Sequence, residues 1–153
     1  CYAFINDIMP KLKEAGLNIN FKIIGQTSKL LKISLSRFKN VTVYNDIIFP
    51  ENLCKNAICG ISNLSIVTGV QNKILEYMRI GLPTIISKKC YFSLNLKKNK
   101  HILVYENDNQ LVKQIIKLKN SKQFANKMSY NSFDVIKKNY TWNSSLKKYN
   151  TLV

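Results

Sequence analysis

Short apolar runs alternate with stretches of helical periodicity along this chain of 153 residues, and this alternation limits its possible folds more than any other feature. The runs at 19–24, 41–44, 57–61, 83–87 and 101–105 are largely apolar, as strands buried on both faces are. Because strands that alternate with helices form parallel sheets, the sequence predicts an α/β fold, an open parallel sheet flanked by helices on both faces.

Helix signals separate these strands. Apolar residues at helical spacing predict helices over 4–12, 26–35, 50–55, 69–80, 107–119, 121–138 and 142–150. Pro10 should kink the first helix or start its second part, and Gly16 and Gly81 should end the helices that precede them. The segments 62–68 and 88–100 are predicted to be loops, the second rich in Lys and Asn.

Neither a linker nor a repeat divides the chain, so residues 1–153 are predicted to form one domain. The chain enters helical periodicity almost at once, without an initiator Met or a signal-peptide pattern. We therefore expect a piece of a longer protein, with at least one upstream strand outside it.

The net charge of +16 has two open explanations, an anionic partner or the codon usage of an AT-rich genome. Nucleic acid is disfavoured as the partner because Arg37 and Arg79 are the only arginines, and base edges are usually read by Arg. An anionic membrane surface is the stronger candidate. A non-catalytic basic module for membrane or nucleic acid therefore stays an alternative function.

Four scattered cysteines and one His offer little for a metal, and no metal site is predicted.

The segment 68–76 carries the most chemical information. Gly69 allows close backbone approach where the predicted helix begins, and the free amides near Val70, Gln71 and Asn72 point outward with the positive end of the helix dipole. Such a helix start is suited to a diphosphate.

Glu76 lies roughly 9–12 Å further along the same helix, about the step from a pyrophosphate to a ribose. It shares a face with Thr68 and Asn72, whereas four apolar residues form a separate stripe that should pack on the sheet: Val70, Ile74, Leu75 and Met78. A second interpretation stays open, in which Glu76 is a surface residue paired with Lys73 or Arg79.

Polar residues also follow the first two predicted strands. Gly25-Gln26-Thr27 and Asn45-Asp46 stand where those strands end. Ligands of open parallel sheets bind beyond the carboxyl ends of the strands, so these residues join the candidate site.

The run GVQNKILEYMRIGLPTII (69–86) resembles the donor-site signature of GT-B glycosyltransferases, in particular the large retaining family four. Its most specific part is the set Glu76, Met78, Gly81 and Pro83. The strand-glycine unit FKIIG, the strand around 56–61 and the late NYTW also fit that family, so that the resemblance covers nearly the whole chain.

The resemblance implies roles for individual residues. Glu76 would hold the donor ribose, and the diphosphate would meet Gly69, Val70, Gln71 and Asn72. The nucleotide would lie over Gly25 and Gln26, and the base beside Tyr44 and Asn45. Thr68 stands where the family usually has the acid that contacts the transferred sugar, which makes it the one candidate catalytic position and leaves a lapsed sugar-nucleotide-binding relative as an alternative.

As a whole, the resemblance implies the Rossmann-like C-terminal half of a GT-B enzyme. Such an enzyme would transfer a hexose-type sugar, with retention, from a UDP- or GDP-linked donor to a glycan or lipid-linked acceptor held by an N-terminal domain. It would use no metal and no cofactor, and we expect a cytoplasmic bacterial protein of polysaccharide biosynthesis, peripheral at the inner face of the membrane. The isolated chain should bind nucleotide weakly and should not catalyse sugar transfer.

A dinucleotide oxidoreductase is disfavoured because no G-x-G-x-x-G follows any predicted strand.

Overall fold

A computed structural model describes residues 1–47, 51–63, 72–91 and 95–140. Contacts group the chain into two compact units, residues 1–55 and 56–153. The prediction of a single domain stays a prediction, and each unit is described by itself.

The first unit contains two parallel strands and the helices around them. A π-helical segment, Phe4–Ile8, leads into α1 (Met9–Glu14), and it is followed by β1 (Phe21–Ile24), α2 (Lys29–Leu35), β2 (Val41–Tyr44) and α3 (Glu51–Cys54). The register sets Phe21 opposite Val41 and Ile24 opposite Tyr44. Ile5, Leu35 and Val41 form one buried cluster of this unit.

Pro10 acts at the start of the unit as predicted. It occupies the first turn of α1, directly after the π-helical segment. Its ring has no N–H and would clash with the carbonyl four residues earlier, so the wider turn before it accommodates both defects. The helix then ends where Gly16 donates its amide to the carbonyl of Lys13.

The second unit contains three parallel strands. Its elements are β3 (Gly60–Ser62), α4 (Asn72–Arg79), β4 (Thr84–Ser87), α5 (Lys88–Tyr91), β5 (Leu103–Tyr105), α6 (Asp108–Asn120) and α7 (Lys122–Asn139). The strand order is β3-β4-β5, with Ile85 opposite Ile61 and Leu103. Every residue of β4 and β5 is buried, which fits the apolar runs from which both strands were predicted. The predicted α/β class with parallel, helix-flanked sheets is confirmed.

Both predicted loops were wrong in part, and of the strand predicted over 57–61 only residues 60 and 61 belong to β3. Ser62 was placed in a loop, but it is the last residue of β3 and is buried opposite Ile86. Residues 88–91 were also placed in a loop, but they form α5 because Cys90 packs fully buried in the core of the second unit. The predicted helix over 142–150 and the segment 64–71 lie outside the described residues.

Gly81 ends α4 as predicted. Its φ of +73° is in the left-handed region, and the amides of Gly81 and Leu82 donate to the carbonyls of Met78 and Tyr77 at 3.1 and 2.9 Å. These two bonds satisfy carbonyls that the end of a helix otherwise leaves unpaired. The chain therefore turns directly from α4 into β4.

Gly60 of β3 packs closely against Tyr77 of α4. A Cβ at this position would lie 2.5 Å from the Tyr77 ring. We expect Gly60→Ala to lower the free energy of unfolding by about 1–3 kcal/mol through overpacking. Denaturant unfolding would measure this loss, and Tyr77→Ala should remove most of it in a double-mutant cycle. If Gly60→Ala is equally destabilising when combined with Tyr77→Ala, a steric origin of the loss is contradicted.

His101 is expected to make the stability of the second unit depend on pH. Its Nδ1 accepts the Lys97 amide at 3.1 Å, and burial, reinforced by Lys100 and Lys97 against the opposing charge of Asp134, lowers its pKa below 6.5. The unfolded chain therefore takes up a proton that the folded chain resists, so the stabilisation is complete above the unfolded pKa and is lost as the pH falls below it.

We expect the free energy of unfolding to decrease as the pH falls from about 7 to 5, measured by urea unfolding. His101→Asn keeps an acceptor for the Lys97 amide but cannot titrate, so its pH dependence should be shallower. An identical pH dependence in both proteins would contradict this role.

Candidate functional site

In the first unit, β1 and β2 end side by side. Gly25 follows β1 with a φ of +141°, a conformation that residues with a side chain rarely adopt, and its amide donates to the carbonyl of Tyr44 at 3.0 Å. A Cβ on Gly25 would meet nothing within 4 Å. The need for glycine therefore comes from the backbone, and the space beside it is open.

Side-chain hydrogen bonds join the loops beyond these strand ends. Gln26 Nε2 donates to Asp46 Oδ1 at 2.8 Å, and Thr27 Oγ1 donates to Asn45 Oδ1 at 2.9 Å. Asn45 Nδ2 returns a longer bond of 3.4 Å to the Thr27 carbonyl. The four residues proposed for this edge (Gly25, Gln26, Tyr44 and Asn45) are thus brought together, while their role in binding stays a prediction.

In the second unit, α4 separates its apolar and polar residues. Ile74 and Met78 are fully buried, whereas Asn72 is exposed and Glu76 is partly exposed. The predicted division between a packing stripe and a polar face therefore holds for the residues from 72 onward. Thr68, Gly69, Val70 and Gln71 lie outside the described residues, so the predicted amide cluster for a diphosphate stays a prediction.

Glu76 has a partner within its own helix. Lys73 Nζ lies 2.8 Å from Glu76 Oε2, and the two side chains are 48% and 46% exposed. This is one of the two surface pairs that the second interpretation of Glu76 anticipated. A solvent-exposed pair at this spacing is weak, about 0.3–0.5 kcal/mol, so hydroxyl groups of a ligand can compete for the carboxylate.

Further polar groups stand at the ends of β4 and β5. Lys88 Nζ lies 3.1 Å from Glu106 Oε1, and both residues come directly after a strand. The sequence analysis did not select them, although their position after strands 83–87 and 101–105 was the available signal.

The Tyr105 hydroxyl is buried at the same edge, with no hydrogen-bond partner among the described residues. Burial is the largest cause that raises the pKa of this hydroxyl to about 12, and Cys90 and Asp108 raise it further.

Cys59 does not supply a reactive thiol at neutral pH. None of the four cysteines, all of which lie among the described residues, forms a disulfide, and Cys90 is fully buried. Burial of the Cys59 thiol raises its pKa to about 12, although part of the residue remains accessible. A thiol with such a pKa stays protonated and is a poor nucleophile.

Two cavities formed by described residues lie beside the amino ends of strands, whereas the predicted site lies at the carboxyl ends. One of about 360 Å³ borders Ile19 and Asn40, which precede β1 and β2. The other, of about 580 Å³, borders Asn99 and Lys100, which precede β5. Neither cavity includes a residue of the predicted site.

Within the described ranges, no three His, Cys, Asp or Glu side chains cluster in a way that could hold a metal ion. Among the described helices, none combines the length and the apolar character needed to cross a membrane.

Several solved structures share the fold of this chain. TarM matches with a TM-score of 0.78 and 18% identity over 97% of this chain and 31% of that chain. S. aureus TarM, as a mutant in complex with fondaparinux, α-GlcNAc-glycerol and UDP, matches with a TM-score of 0.73 and 16% identity over 99% and 32%. This chain thus spans about a third of the length of either protein.

A shorter structure matches over nearly its full length. The C-terminal domain of LpcC, a glycosyl transferase group 1 family protein from Francisella tularensis, gives a TM-score of 0.51 with 14% identity over 90% of this chain and 94% of that domain. The fold is therefore that of the C-terminal domain of a GT-B glycosyltransferase.

The sequence shows the family to which the chain belongs. Residues 2–121 match the model of the family described as glycosyl transferases group 1, and the chain belongs to this family. No curated protein sequence matches the chain. The predicted glycosyltransferase resemblance is confirmed.

We expect Glu76 to contribute little to folding. Glu76→Gln and Lys73→Met should each change the free energy of unfolding by less than about 0.5 kcal/mol in urea unfolding, because their pair is exposed and screened by solvent. A loss above about 2 kcal/mol would show that Glu76 supports the fold instead.

Proposed function

We propose that this chain binds the nucleotide-sugar donor of a retaining glycosyltransferase that transfers a hexose-type sugar from a nucleoside diphosphate to a glycan or lipid-linked acceptor. The observation that carries the proposal is the position of Glu76. It lies in the run that resembles the family's donor signature, and it is directed away from the residues of α4 that pack in the core.

The ribose contact is the most specific part of the proposal. A carboxylate accepts hydrogen bonds from two vicinal hydroxyls, and bonds to a charged group are stronger than neutral ones. Lys73 occupies one oxygen of Glu76 through a weak surface pair. Donor binding would exchange that lysine for the ribose hydroxyls, and the freed ammonium group would remain three residues toward the start of α4.

The diphosphate contact is proposed at the start of α4, where amides that no helical carbonyl pairs with carry partial positive charge. Negative charge grows on the nucleoside diphosphate as its bond to the sugar breaks. Fixed amides and lysines stabilise that charge in the transition state without a metal. No residue of this chain is proposed as a base or a nucleophile, and the acceptor is assigned to an N-terminal domain.

The base is proposed to lie at the ends of β1 and β2. The open space beside Gly25 and the hydrogen-bonded loops of Gln26 and Asn45 support this assignment. Main-chain groups beside Tyr44 would then contact the base. Such contacts leave no side-chain signature, so UDP and GDP are both retained as donor nucleotides.

Titration calorimetry with UDP, GDP and ADP tests the proposal. We expect weak binding of UDP or GDP to the chain, and Glu76→Ala should lower the affinity by about 10- to 100-fold because it removes charge-assisted hydrogen bonds. Asp134→Asn is the matched control, because this carboxylate is 43% exposed and is also paired with a lysine, Lys138, at 2.8 Å.

Equal affinity of the wild-type chain and Glu76→Ala would contradict the ribose contact. Sugar transfer catalysed by this chain alone would contradict the assignment of the acceptor to another domain. If the chain binds nucleotide but the full-length enzyme does not transfer sugar, the proposal of catalysis would give way to the alternative suggested by Thr68, a relative that binds sugar nucleotides without catalysis.

A further inference from the structure

The outward side of α7 carries two aromatic side chains that the fold leaves in solvent. Tyr130 is 73% exposed and Phe133 is 46% exposed, whereas Met128, Ser132 and Ile136 of the same helix are buried. A helix of 18 residues that is held to its unit by one side therefore presents a second, partly aromatic side.

Lysines flank these aromatic residues. Lys127 precedes Tyr130 by three residues and Lys137 follows Phe133 by four, so that neighbouring members lie on adjacent turns. We call these four residues the α7 outer face. Asp134, which is the one acidic residue of α7, is paired with Lys138 at 2.8 Å, so the surface keeps its positive charge.

The 580 Å³ cavity adjoins the α7 outer face at Lys127. Its lining combines two ammonium groups, two carboxamides and two apolar side chains: Asn99, Lys100, Phe124, Lys127, Met128 and Asn131. Outside this lining, Lys117 places its Nζ 4.1 Å from the centre of the Phe124 ring. The donors suit a phosphate oxygen, and the apolar side chains suit the glycerol and acyl carbons beside it.

We propose that the α7 outer face docks on the surface of a bilayer that contains anionic lipids. Tyr130 and Phe133 would enter the interfacial layer, where amphipathic and aromatic rings are favoured, while Lys127 and Lys137 would meet lipid phosphates. A lipid headgroup would occupy the adjoining cavity. A nucleic acid fits this surface less well, because the face has no arginine and its aromatic residues stand on a convex helix rather than in a groove.

Co-sedimentation of the full chain with vesicles tests the proposal. One set of vesicles contains phosphatidylcholine alone, and the other also contains phosphatidylglycerol. We expect binding only to the second set, weakened by added salt. Lys127→Gln with Lys137→Gln should lower the partition coefficient by roughly 25-fold, since each lysine near an anionic surface is worth about fivefold. Tyr130→Ser with Phe133→Ser should lower it by at least about tenfold.

Two matched variants distinguish the α7 outer face from the charged and apolar residues of other helices. Lys113→Gln with Lys119→Gln removes the same charge from α6, where both residues are exposed, and should have a smaller effect. Leu30→Ser with Ile33→Ser removes the exposed aliphatic residues of α2 and should leave binding unchanged. Circular dichroism would establish that each variant is folded.

Several outcomes would overturn the proposal. These are equal binding to both vesicle sets, equal losses for the α6 and α7 lysine variants, full binding by the α7 aromatic variant, and loss through the α2 variant alone. Binding to single-stranded DNA that competes with vesicles and survives the aromatic substitutions would assign the charge to nucleic acid instead.

Discussion

Parallel strand pairing is the constraint on which the candidate site depends. Antiparallel neighbours would send successive strand ends to opposite edges, whereas parallel neighbours bring all their carboxyl ends to one edge. In the first unit, this pairing sets Gly25 beside Tyr44 and lets the loops after β1 and β2 hydrogen-bond to each other. In the second unit, it brings Lys88 and Glu106 together after β4 and β5. Residues that are distant in sequence are thereby brought together by the geometry of the backbone.

Local signals predicted much of this fold because they act within a few residues. The bounds of β2 were predicted without error, and Gly81 and Pro10 acted where the sequence placed them. The errors arose where tertiary packing outweighs local composition. Nothing near Cys90 distinguishes a loop from α5, since the helix exists because Cys90 fits a core made by distant residues. Ser62 likewise looked like a loop residue but pairs in the sheet with Ile86.

The candidate site was predicted in part, for a related reason. Gly25, Gln26, Tyr44 and Asn45 were selected because they follow strands, and the structure gathers them. For Glu76, the sequence permitted both a ligand role and a surface pair. Lys73, three residues away, forms the surface pair, and this pair does not prevent Glu76 from binding a ligand. The donor segment from Thr68 to Gln71 lies outside the described residues. Side-chain partners that are distant in sequence depend on the relative placement of elements, which periodicity alone does not contain.

The hydrogen bonds between the loops of the first unit have a consequence for recognition. Gln26 and Asp46, and Thr27 and Asn45, hold each other through hydrogen bonds that the folded chain itself provides. A flexible edge would have to lose conformational entropy when a ligand arrives, and that loss would weaken binding. Here much of the ordering is already accomplished by folding. A mutation that separates these pairs would therefore act first on the rate and extent of loop motion, and only through that motion on affinity.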